Sequence, residues 1–176
     1  MVDPFEIKRL DPEHPRPPFN CSDQDLNEFY QQDSITSGEQ LLSVTYVALH
    51  DKNVIAFFSV SNDAIKKEDL TGSRFKRLVK KLPRQKRYSS MPAVKIGRLA
   101  VTANMQRQGV GKDILDFLKV WFTIRNKTGC RFIIVDAYNT SDVTSFYEKN
   151  GFTFLIASDT EDKTRLMYFD LATFRE

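Results

Sequence analysis

The stretch Gln106-Arg107-Gln108-Gly109-Val110-Gly111-Lys112 gathers residue types that bind an anion through the main chain. Glycines let a backbone approach an anion closely, and the N–H groups of a helix's first turn point at it with the macrodipole behind them. The chemistry implied is the holding of a phosphate or pyrophosphate, with Arg107 and Lys112 offering charge. A Walker A loop would place glycine at 106 and Ser or Thr at 113, where the chain has Gln106 and Asp113. A dinucleotide fingerprint would place a third glycine at 114, where Ile114 stands. A plain tight turn leading into a helix is the remaining alternative.

Other reactive side chains are sparse. Cys21 and Cys130 have no metal-ligand spacing and read as reduced thiols, and no metal site is expected. His14 falls in a proline-rich stretch and His50 in a hairpin turn, so neither forms a triad with a nucleophile. Tyr147 shares a helical face with Val143 and Phe146, as a core aromatic would.

The elements that must position these residues follow from periodicity. Ser22 with Asp25 resembles a capping box, opening a helix from about Asp23 into the low thirties with Leu26, Phe29 and Tyr30 on one face. Residues 42–49 and 53–61 form a hairpin turning near Asp51. Phe75, Leu78, Val79 and Leu82 recur at helical spacing within a basic segment, and Pro83 is expected to end that helix. Residues 94–101 read as a strand. A helix from near Gly109 buries Ile114, Leu115, Leu118, Trp121 and Phe122. The continuous apolar run 132–137 reads as an interior strand. A short helix follows from about Ser141 and stops at Asn150-Gly151, before strands at 152–156 and 165–171. The order predicts an α/β protein with a mixed β-sheet and helices on both faces, organised as a single domain over 1–176 with a basic insert at about 63–92.

Composition agrees. The 176 residues, 41% hydrophobic and 28% charged, suit one globular core rather than a disordered or fibrous chain. No apolar run is long enough to span a bilayer and the start has no signal-peptide pattern, so the expected location is cytoplasmic, with no membrane partner. The net charge of +3 is unevenly spread: Lys66 to Arg87 holds ten basic residues against Glu68 and Asp69, a segment of +8 within a remainder of −5. Such a run is either a solvated helix or a phosphate-steering surface for RNA, tRNA being the leading candidate.

With Gly97-Arg98-Leu99-Ala100-Val101 before the loop, and Asn139 and Phe146-Tyr147-Glu148-Lys149-Asn150-Gly151-Phe152 after it, the sequence resembles the GCN5-related N-acetyltransferase (GNAT) superfamily. Members show Q/R-x-x-G-x-G/A at the start of this helix, a strand, then F-Y-x-x-x-G-F, and the match runs from about Ala93 to Leu155. Phe19-x-Cys21-Ser22 with Leu26 and Phe29 adds a resemblance to the subgroup containing acetyltransferase toxins that act on aminoacyl-tRNA.

The resemblance implies an N-acetyltransferase with acetyl-CoA as cosubstrate and a primary amine attacking directly. It assigns Leu99, Ala100 and Val101 to pantetheine through their main chain, and Gln106, Arg107, Gln108, Gly109, Val110, Gly111 and Lys112 to the pyrophosphate. It adds Asn139 and Phe146 to the cofactor site and makes Tyr147 the acid for the leaving thiolate. Val143 departs from the small residue the family usually carries on that helix. The general base stays unassigned: a lysine acceptor with pKa near about 10.4 would need one, whereas an α-amino group near about 8 is already partly neutral. Candidate partners are tRNA, reached through the Lys66–Arg87 basic segment, an antitoxin as in the toxin-like subgroup, and a second copy of the chain in a homodimer. Alternative acceptors are a protein N-terminus, a lysine or a small polyamine, and an alternative of another class is a non-catalytic RNA-binding module.

Overall fold

The computed structural model describes residues 5–80, 82–84 and 87–174. They form two compact units, the first from residues 5–61 and 96–118, the second from 62–95 and 119–174. One seven-stranded mixed sheet has the order β1-β2-β3-β4-β5-β7-β6, and strands β3 (Asn53–Lys66) and β4 (Ser90–Val101) contribute residues to both units.

The first unit opens with β1 (Glu6–Arg9), antiparallel to β2 (Val44–His50), which pairs antiparallel with β3. The hairpin between β2 and β3 is two residues long, because His50 pairs with Asn53, and Asp51 and Lys52 take positive φ (48° and 65°) to suit the strand twist. Helix α1 (Gln24–Glu28) is capped by Asp23, whose Oδ1 accepts from Leu26 N–H at 2.9 Å. The expected cap, Ser22, stands one residue too early: its φ of 66° is left-handed, whereas a cap needs the extended backbone that Asp23 has. The helical run then passes through a π-helical turn, Phe29–Asp33, into α2 (Ser34–Glu39), past the low thirties. Buried Ser34 donates its hydroxyl to the Tyr30 carbonyl at 2.8 Å, the kind of back-bond that competes with the helix's own ladder and bends it. Phe57 centres this unit's core, with ring centroids of Phe19 and Tyr30 at 5.1 and 5.2 Å and Phe29 at 6.1 Å.

In the second unit β5 (Phe132–Tyr138) pairs antiparallel with β7 (Thr164–Asp170), and β5 is interior to the sheet, as its continuous apolar run predicts. The next strand, β6, covers only Thr153–Phe154, shorter than the 152–156 expected. Helix α3 (Gly72–Val79) is capped by Thr71 and buries Phe75 and Val79 against Ile65, Met91, Phe132 and Ile134. It stops before Pro83 is reached, in a turn closed by Leu82 N–H to Val79 C=O at 2.8 Å. Helices α4 (Val110–Thr123) and α5 (Ser141–Lys149) start where the sequence places them, and Trp121 alone of α4's expected stripe is only half-buried. Among the described residues no helix is long and apolar enough to cross a membrane.

Candidate active site

In the first unit β4 ends at Val101 and the chain is pinned at once: Thr102 N–H donates to Ile55 C=O at 2.8 Å and Ala103 N–H to Asn20 C=O at 2.9 Å. A single 3-10 turn, Ala103–Met105, leads into the exposed turn 106–109. There Arg107 and Gly109 both take positive φ (61° and 94°), which swings the chain round into α4. The first bond of α4 is Asp113 N–H to Gly109 C=O at 3.0 Å. The amides of Val110, Gly111 and Lys112 precede it and have no acceptor within the helix. A Cβ built on Gly109 would meet no atom within 4 Å, so the approach to these amides is open.

Several expected contacts are already committed elsewhere. The Gln106 side chain bridges Cys21 C=O at 2.9 Å and Val101 C=O at 3.0 Å, bracing the turn rather than reaching outward. Gln108 Nε2 donates to Asn104 C=O at 2.7 Å. Lys112 pairs with Asp116 one turn along α4, and this hydrogen bond raises its pKa, so its charge is fixed but drawn along the helix. On β4, Ala100 is buried, while Leu99 and Val101 are half-buried.

The second unit holds the other candidates. Asn139 donates its side-chain amide to Thr160 C=O and Asp162 C=O (2.8 and 2.9 Å), tying down the segment before β7. Tyr147 on α5 is 6% exposed, with its ring edge-on to half-buried Phe146 (5.1 Å) and buried Phe152 (5.3 Å). Burial pushes its phenol well above the ordinary range, so it is protonated at any neutral pH.

Residues 42–154 match the family described as Acetyltransferase (GNAT) domain. The chain belongs to this family. It is an acetyl-CoA-dependent N-acetyltransferase, with acetyl-CoA as cosubstrate. Among solved structures it is similar in fold to AtaT complexed with acetyl-methionyl-tRNAfMet, at 19% identity and TM-score 0.77 over 98% of each chain. AtaTR bound with AcCoA gives 20% and 0.74 over 99% of this chain and 98% of that one. A mutant of KacT gives 19% and 0.75 over 97% of each.

In this acetyltransferase Leu99, Ala100, Val101 and the whole run Gln106 to Lys112 belong to the first unit, and Asn139, Phe146 and Tyr147 to the second. The bare amides at the start of α4 fit a diphosphate, which needs several donors converging on a positive dipole end. His14 stands 3.0 Å from Asp11 and His50 3.6 Å from Asp51, each beside a carboxylate in its own turn. Sequence reasoning passed over Lys119, which the GNAT fold buries. Its position was a usable signal: four residues after Leu115 and three before Phe122, it falls on the apolar stripe of α4.

Proposed function

We propose that this acetyltransferase acetylates the α-amino group of aminoacyl-tRNA, as a toxin-like member of its family. Acetyl-CoA supplies a thioester carbonyl and a thiol leaving group. In this reading the amides of Val110, Gly111 and Lys112 hold the diphosphate, and the main chain of Leu99 to Val101 pairs with the pantetheine arm. The neutral amine forms the new C–N bond as the C–S bond breaks, the Tyr147 hydroxyl donates a hydrogen bond to the sulfur as charge gathers there, and the proton shed by the acylated nitrogen passes through solvent to the departing thiolate. A phenol above about 10 cannot pass its proton downhill to a thiolate whose acid is near about 8.5, so Tyr147 acts through a hydrogen bond that strengthens with the developing charge.

The observation that carries the choice of acceptor is the basic face of α3. Phe75 and Val79 dock one side of the helix, and Arg74 donates to the carbonyls of Phe154 and Leu155. The docked helix leaves Lys76, Arg77 and Lys80 exposed, with Arg84 and Arg87 exposed beyond it. Lys81 and Lys86 of the same segment lie outside the described residues. A fixed stripe of cations with few carboxylates suits a polyphosphate partner and repels a polyamine. AtaT, similar in fold, has been solved with an acetylated methionyl-tRNA and with the antitoxin AtaR; the same reading extends an antitoxin partner to this chain.

Incubation with labelled acetyl-CoA and, in parallel, aminoacyl-tRNA, deacylated tRNA, a lysine peptide and spermidine tests the proposal. Label is expected on aminoacyl-tRNA alone and should leave with the amino acid on mild alkaline hydrolysis. Label on the peptide or polyamine in preference to aminoacyl-tRNA would assign a different acceptor.

A further inference from the structure

Lys119 lies in the second half of α4 and is 5% exposed, the only lysine or arginine in the buried core among the described residues. A buried ammonium is costly unless it is partnered, and an apolar side chain of similar length would fill the same space without that penalty. Two of its partners lie at the end of α5 and on β7. The ammonium donates to Asn150 C=O at 2.8 Å and stands 4.7 Å from the centre of the Phe169 ring. Asn150 is the C-cap of α5, where a cation also complements the helix dipole.

Asn150 relays this hold to the residues before it. Its side-chain amide donates to Phe146 C=O at 2.8 Å, and its N–H donates to Tyr147 C=O at 3.0 Å, which also accepts from Phe152 N–H at 3.0 Å. Phe169 closes the other side. Its ring lies 5.6 Å from that of Phe152, which packs edge-on to Tyr147, and a Cβ added to Gly151 would come within 3.1 Å of it. One ammonium thus grips both the cap of α5 and the ring against which the cap is packed.

We propose that Lys119 is a positioning residue for acetyl transfer: through Asn150 and Phe169 it fixes the last turn of α5 and so the direction of the Tyr147 hydroxyl, without itself touching substrate. The proposal rests on the reading of Tyr147 as the hydrogen-bond donor to the leaving sulfur. Misdirecting that donor by a fraction of an ångström lowers turnover without weakening the hold on the cosubstrate.

The test compares Lys119→Met in the natural chain and in a Tyr147→Phe background, reading kcat, KM and the calorimetric Kd for acetyl-CoA on folded protein. Lys119→Met is expected to lower kcat about tenfold, to leave the acetyl-CoA Kd within about twofold, and to lower kcat no further when Tyr147→Phe is already present. A residue that merely holds the fold together would lower the melting temperature with kcat per folded molecule unchanged, or would impose its full loss on top of Tyr147→Phe; either result overturns the proposal. Should Lys119→Met not fold, Phe169→Leu removes the ring beneath the ammonium and keeps the lysine, and its kcat loss must likewise vanish in the Tyr147→Phe background. A normal kcat for Lys119→Met beside a large Tyr147→Phe loss overturns the role of Lys119 alone. Full turnover by Tyr147→Phe itself overturns the reading of Tyr147, and the role of Lys119 with it.

Discussion

At the scale of single residues the proposed mechanism rests on Tyr147. Its burial among Phe146 and Phe152 raises the phenol's pKa by desolvation, and this keeps the hydroxyl a donor. Tyr147→Phe is expected to cut kcat by about 10²-fold or more while calorimetry finds acetyl-CoA affinity nearly unchanged, because the ring stays and only the donor leaves. The pH profile follows from the sign of the same shift. Below about pH 8 the rate should rise as an α-amino acceptor loses its proton. The protonated form of Tyr147 persists above the ordinary value of 10.0, so the falling limb should begin only beyond that pH. A decline between pH 8 and 9 in kcat against pH would point to a different hydrogen-bond donor.

At the scale of elements two glycines carry different burdens. Gly109 has φ 94° with open space around a built Cβ, while Gly151 has φ 83° with the Phe169 ring at 3.1 and 3.4 Å. Gly109→Ala should cost about 1–2 kcal/mol from backbone strain alone and should also weaken acetyl-CoA binding, since the same turn aims the α4 amides. Gly151→Ala adds a steric clash with a packed ring to a similar strain, so its melting temperature should fall further than that of Gly109→Ala. Thermal unfolding of the two variants side by side checks the order.

At the scale of the whole molecule the decisive quantity is where the charge lies rather than its sum. A net +3 says little about partners, but within the +8 segment Lys66 to Arg87 the docked helix α3 holds Lys76 and Arg77 exposed on one element, and that is a directed field. Neutralising Lys76 and Arg77 together, as Lys76→Gln with Arg77→Gln, should weaken tRNA binding and flatten the slope of log affinity against log salt by about 1.5–2. Acetyl-CoA binding by the same variant should not change. An unaltered salt slope would mean that the α3 face meets no phosphates.

The amino-acid sequence by itself determined the local features: the order of elements, the glycine turn at the head of α4, the F-Y-x-x-x-G-F helix and the basic run. Each of these is a relation between residues close in the chain, where turn chemistry and side-chain period leave few choices. Only the tertiary structure decided which polar groups remain available. Gln106 is joined to Cys21, Asn139 to Thr160 and Asp162, and Lys119 to Asn150. A polar side chain takes the partner that folding brings within about 3 Å, and for these three that partner is distant in sequence, so nothing in the neighbouring residues announces it.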